Sequence, residues 1–139
     1  MKPDWTIESL NALNPGTIVG HLGIEITEVG EQTLTGRMPV DARTRQPYGI
    51  LHGGASVVLA ESLGSLASTM CLTDATQQMA VGLEINANHL RSVREGWVYG
   101  RVTPIHVGRR THVWDIRITD EAEKLVCISR LTIAVVDVK

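Results

Sequence analysis

One uninterrupted stretch governs what this chain can fold into. From Ile50 to Thr73 nearly every residue is apolar or small, and the only side chains there that readily titrate are His52, Glu61 and Cys71. Its inner part, Gly53 to Leu72, is too long for an ordinary strand and reads as a helix. Apolar residues wrap most of the circumference of that helix, so it is expected to be buried. Ala55, Ser56, Ala60, Gly64, Ala67 and Ser68 are small enough to let surrounding elements approach closely.

Elsewhere the apolar period is two. "GIEITEVG" sets Ile24 and Ile26 against Glu25 and Thr27. "TLTGRMPV" sets Leu34, Gly36, Met38 and Val40 against Thr35 and Arg37, and Gly30-Glu31 between the two runs predicts a hairpin. "DARTRQPYGI", with Pro47 and Gly49, is a loop. After the helix, "AVGLEINANHL", "GWVYGRVTPI", "HVWDIRITD" and "KLVCISRLTIAVV" alternate, with "REG", "VGRR" and "DEAEK" as turns. No helix separates these strands, which argues against βαβ units and predicts an antiparallel meander. A short N-terminal helix over "DWTIESLNAL", capped by Asp4 or Thr6, completes an α+β chain with one domain over residues 1–139.

The balance of charge narrows the partners. A formal net charge of -2 and the lack of a basic amphipathic segment argue against nucleic acid and against a membrane surface. "MKPDWTIESLNAL" has no signal-peptide core, and no run approaches the ~20 apolar residues of a membrane span. Cys71 and Cys127 lie far apart with no paired spacing, so each is expected to be a small buried residue in a reducing, cytoplasmic setting. No His/Cys/Asp cluster has metal-ligand spacing, so neither metal nor cofactor is expected.

Glu61 then needs an explanation, because burying an ionised carboxylate without a partner costs several kcal/mol. It either reaches a rim or an arginine elsewhere, or it does chemistry. Three neighbours favour chemistry. His52-Gly53-Gly54 opens the helix, where free N–H groups and the dipole suit an oxyanion. Ser65 lies one turn after Glu61 on the same face. Gln46, just before Pro47, is a neutral donor that can polarise a carbonyl. Glu61 and Gly53 are separated by about 12 Å of helix, so they cannot flank one carbonyl within a single chain. A two-fold dimer with antiparallel helices would bring Glu61 of one copy to Gly53 of the other.

The combined pattern "QPYGILHGGASVVLAESLGS", continued through "GLEINANHLRSVREG" to "LTIAVV", resembles the hotdog-fold acyl-CoA thioesterases. The similarity is greatest to the branch that cleaves aryl-CoA thioesters with a helix glutamate. It implies one long central helix wrapped by a curved antiparallel sheet, and a homodimer with shared sites, usually paired into a homotetramer. It further implies Glu61 as nucleophile or general base and the Gly53 N–H of the partner chain as oxyanion donor. Gln46 and His52 would polarise and orient the thioester and the loop, and Ser65 would assist at the water or carboxylate. The implied CoA contacts are Gly82, His89, Leu90, Arg91 and Ser92, with the turn His106, Val107, Gly108, Arg109, Arg110 and Thr111. The arginines Arg91, Arg109 and Arg110 would gather beside Gly108 to hold phosphates. The acyl group would be aromatic, of dihydroxynaphthoyl or hydroxybenzoyl type, in a pocket shaped by Leu66, Val58 and the neighbouring subunit. An aryl-carrier protein is the alternative substrate carrier, and a non-catalytic acyl-CoA binding module is the alternative function.

Overall fold

In the computed structural model, which describes residue 1 and residues 4–138, the chain runs α1 (Ile7–Asn11), α2 (Ile18–His21), β1 (Glu25–Val29), β2 (Leu34–Pro39), α3 (Gly53–Met70), β3 (Gln78–His89), β4 (Trp97–Val107), β5 (Thr111–Thr119) and β6 (Leu125–Asp137). The six strands form one sheet in the order β1-β2-β4-β5-β6-β3, and every pairing is antiparallel. α3 packs against β2 through β6. Its buried residues include the pairs Ala55-Ser56, Leu59-Ala60, Leu63-Gly64 and Ala67-Ser68, a stripe repeating every four residues.

Two features let the helix sink into the sheet. Gly36 on β2 and Gly100 on β4 are register partners. A Cβ at Gly36 would come within 2.8 Å of Leu63 Cδ2, and one at Gly100 within 2.7 Å of Leu63 Cδ1. The pair therefore forms one dent that receives Leu63. On the helix side, a Cβ on Gly64 would collide with Leu131 of β6.

Three expectations need correction. The helix is not buried all round: Val57, Val58, Glu61, Ser62, Ser65, Leu66 and Thr69 are only half-buried, because the sheet wraps one side of it. The later strands are not one meander. Both edges of β4 are taken by β2 and β5, so β3 is displaced to the far edge beside β6. Residues 90–96 make that crossing, pinned where Leu51 N–H donates to the Val93 carbonyl at 2.8 Å and Arg45 Nε to the Arg94 carbonyl at 2.9 Å. Of the two cysteines, Cys127 is buried but Cys71 only partly so, and burial pushes both thiols up.

The N-terminal helix forms with Thr6 as its cap, its hydroxyl accepting from Ser9 N. The sequence reading lacked α2, a single turn capped by Thr17 after "NPGT". Asn11 stitches this region to β1, accepting from Ile26 N at 2.7 Å and donating to Ile26 O at 3.0 Å. Among the described residues no helix is long and apolar enough to cross a membrane.

A polar knot lies under β5. Trp114 Nε1 donates to Ser68 Oγ at 2.7 Å, and Ser68 Oγ lies 2.8 Å from His112 Nδ1. An indole can only donate, so Ser68 Oγ accepts from Trp114, and the hydroxyl joins the indole to the imidazole. Burial pushes His112 below its ordinary 6.5, a backbone hydrogen bond at Gly108 partly opposes this, and nearby His106 adds to it. A depressed folded value means that the unfolded chain takes up the proton first. The His112 contribution is therefore complete above pH 6.5 and declines as pH falls below it, by at most about 1.4 kcal/mol per pH unit for one proton. The thermal midpoint should drop between pH 7 and pH 5, and a His112→Gln variant should show a flatter decline. Equal slopes would mean that His112 does not titrate with unfolding.

Candidate active site

Glu61 projects from the half-buried face of α3 toward β3. A Cβ on Gly82 would stand 2.5 Å from Glu61 Oε2, so the carboxylate occupies the space that a side chain there would fill. β3 carries a bulge between Gly82 and Glu84, directly beside this contact. Among the described residues no ion pair or hydrogen bond takes up the carboxylate. Instead it lines a cavity of about 310 Å³ with Ser62, Ser65, Leu66 and Thr69 of α3 and Leu13, Asn14, Thr17 and Val19 of the α1–α2 region. Ser65 lines the same cavity without bonding to Glu61, and its carbonyl accepts from Thr69 Oγ1 at 2.9 Å.

The start of α3 faces a second cavity of about 410 Å³, lined by Gln46, Gly53, Ser56, His89, Leu90, Arg91 and Ser92 among others. Here the helix end distributes its N–H groups unequally. His52 is the N-cap and its Nδ1 accepts from Gly54 N at 2.8 Å, while Ala55 N and Ser56 N donate to the His52 carbonyl. The Gly53 N–H is left without a partner among the described residues, as the first N–H of a helix is unless something caps it. The His89 ring packs on Gly53, and a Cβ there would lie 2.9 Å from His89 Nε2.

The loop before the helix aims Gln46. Its Oε1 accepts from the Tyr48 N–H, and its backbone is tied to Ile50 and Gly49. With the carbonyl oxygen engaged, the carboxamide has its two N–H donors to offer. Gly49 holds φ +82, which closes this tight loop. His52 is exposed and lines neither cavity. Its Nδ1 is engaged in capping, so it fixes the helix entry.

The structure thus brings Gln46, Gly53, His89, Leu90, Arg91 and Ser92 together, and sets Glu61, Ser65 and Gly82 apart from them. The turn from His106 to Thr111 is elsewhere again. His106 and Val107 border a cavity with Cys71, and Val107, Gly108 and Arg109 border another with Cys71 and Gln78. Cys71 caps the C-terminus of α3 and Gly53 begins it, so about 27 Å of helix lies between the two ends. The expected cluster of Arg91 with Arg109 and Arg110 therefore does not exist within one chain. Arg110 is also engaged, pairing with Asp137 at 3.1 Å. Leu66 lines the Glu61 cavity and Val58 does not. The wall from α1–α2 was missed in the sequence; its one signal was the helix-capping "NPGT".

One long helix laid against a six-stranded antiparallel sheet is the architecture of a hotdog thioesterase. Residues 48–127 match the Thioesterase superfamily, and the chain belongs to that family of thioester-cleaving enzymes. It is 55% identical to the 1,4-dihydroxy-2-naphthoyl-CoA hydrolase of Escherichia coli (strain K12), over 96% of this chain and 97% of that protein. It is 50% identical to the proofreading thioesterase EntH of Cronobacter turicensis, over 96% of each. A crystal structure of a mutant thioesterase from Pseudomonas aeruginosa superposes with a TM-score of 0.96 at 52% identity, covering 99% of this chain and 98% of that one.

Proposed function

We propose that this chain hydrolyses acyl-CoA thioesters with an aromatic acyl group, of dihydroxynaphthoyl or hydroxybenzoyl type, to the free acid and CoA. The observation that carries the reading is the presence, in two separate cavities, of a Glu61 carboxylate and a Gly53 N–H that both lack a partner among the described residues. Thioester cleavage needs a nucleophile or base and an oxyanion donor, and these two groups supply them. Glu61 either attacks the carbonyl carbon, expelling CoA thiolate and giving a mixed anhydride that water then hydrolyses to the free acid and the Glu61 carboxylate, or takes a proton from a water that attacks the carbonyl carbon and expels CoA thiolate directly. The Gly53 N–H and the Gln46 carboxamide receive the developing charge on oxygen, and Ser65 holds the water or the carboxylate.

Because the two groups sit about 12 Å apart along one helix, the reading requires a homodimer. The outer edge of β3 supports one. β3 is a long strand paired with β6 on one edge only among the described residues, with Met79, Val81 and Leu83 exposed, and its other edge is suited to antiparallel pairing with its own copy across a two-fold axis. Antiparallel helices would then set the Arg91 end of one chain beside the Arg109 turn of the other. This would reunite the phosphate-binding arginines around one CoA. A homotetramer of two such dimers and delivery of the acyl group on an aryl-carrier protein belong to the same proposal, as does a cytoplasmic setting.

The direct test is release of CoA from hydroxybenzoyl-CoA by the protein and by Glu61→Gln. Equal, slow rates for both would point instead to a non-catalytic acyl-CoA binding module. The contact at Gly82 gives a second test. Gly82→Ala should displace the carboxylate by about an ångström and lower kcat about 10- to 100-fold while changing KM little. An unchanged kcat would mean that the Glu61 position is not set by β3.

A further inference from the structure

Resting on the reading that thioester cleavage occurs at Glu61, we infer that the α1–α2 region is the far wall of the acyl pocket, with Leu13 and Val19 determining which acyl groups fit. Three observations carry this. First, the Glu61 cavity has α3 on one side and Leu13, Thr17 and Val19 on the other, all from the same chain. An acyl carbon within reach of the carboxylate therefore projects its substituent toward that wall.

Second, the wall is fixed in place. Asn11 bonds both backbone groups of Ile26, and Asn14 Nδ2 donates to the Ile24 carbonyl at 3.2 Å. Thr17 caps α2, and Gly20 lacks the Cβ that would press to 2.5 Å from the Asn14 carbonyl. A wall anchored in this way discriminates by shape, whereas a loose tail would yield to any ligand. Leu13 is nevertheless 51% exposed, an apolar side chain at a cavity mouth with space beside it.

Third, two of the four hydroxyls on the lining are oriented. Thr17 Oγ1 donates to the Asn14 carbonyl at 2.7 Å and Thr69 Oγ1 donates to the Ser65 carbonyl at 2.9 Å. Their protons are spent, so each oxygen has a lone pair to offer, that of Thr17 beside the long bond it accepts from Gly20 N at 3.5 Å. The complement is an apolar body with hydrogen-bond donors on its rim, which a hydroxylated ring has and a saturated chain lacks.

The test compares kcat/KM for 2-naphthoyl-CoA, benzoyl-CoA and 4-hydroxybenzoyl-CoA in wild type, Leu13→Trp, Leu13→Ala and Val19→Ala, with Glu61→Gln alongside. Leu13→Trp, at an exposed position, should cut the naphthoyl-to-benzoyl ratio at least about 10-fold, mainly through KM. Leu13→Ala and Val19→Ala should raise the naphthoyl-to-benzoyl ratio severalfold, with the thermal midpoint of Leu13→Ala unchanged. Ratios that stay constant across all three wall variants would overturn the inference, and if Glu61→Gln is then inactive the hydrolase reading still stands. Turnover retained by Glu61→Gln would overturn the reading on which the inference rests.

Discussion

Glu61→Gln should lose at least about 1,000-fold in kcat on aryl-CoA substrates while folding as well as the parent. The substitution keeps the shape of the side chain and removes its ability to attack or to take a proton, functions worth about 10²–10⁴-fold in general-base chemistry. No ion pair is broken, since among the described residues none exists at Glu61. A half-buried carboxylate without a partner is a cost to the fold, so the thermal midpoint of the variant should equal or exceed that of the parent. Such exchanges of stability for activity are common at functional positions. Thiol release and a thermal melt measured on the same preparations decide the matter. A lowered midpoint with activity retained would make Glu61 a structural residue.

The second large effect belongs to Gly53. Proline is well accommodated at the first position of a helix, where its missing N–H breaks no helical bond. Gly53→Pro therefore deletes the N–H of this turn that has no partner among the described residues and should lower kcat about 10²–10³-fold, the usual cost of removing an oxyanion donor. Gly53→Ala crowds His89 in the same way, with its Cβ 2.9 Å from Nε2, but keeps the N–H, so it should be much less impaired. Mixing Glu61→Gln with Gly53→Pro chains then tests whether sites are shared. In a heterodimer one site collects both lesions and the other collects none, so random exchange should restore about a quarter of wild-type activity. No recovery despite demonstrated exchange would overturn shared sites, and with them the pairing of Glu61 with the Gly53 N–H in one reaction.

Much of this was legible in the residues, and the gaps have physical causes. The apolar run announced α3 because its length and small residues suit no strand, and His52-Gly53-Gly54 marked its start. Alternation gave each strand and, except in β3, the face it buries. Val81 and Leu83 share one alternation with Ile85 and Ala87 in the sequence, yet the first two are exposed and the last two half-buried, because the bulge shifts the phase between them. Alternation could not give neighbours, because a period of two is the same whichever strand lies alongside, and so β3 was placed beside β4. Arg91 and Arg109 looked like a cluster because sequence proximity to turns carries no information about which end of the helix a turn adjoins. The α1–α2 wall escaped because a four-residue helix has no period to detect, and its position is set by the Asn11 and Asn14 carboxamides on β1.

The extra residue in β3 has a use that its position makes plain. Gly82 faces Ile133 and His89 faces Cys127, both on the helix side of the sheet, yet one is even-numbered and the other odd. A regular strand turns residues of opposite parity to opposite sides. Only the phase slip at Leu83 lets a single strand seat the acid with one residue and brace the amide-bearing turn of α3 with another. Deleting that one residue would send either the glycine or the histidine out to solvent, and Glu61 and the first turn of α3 could no longer both rest on the same ribbon.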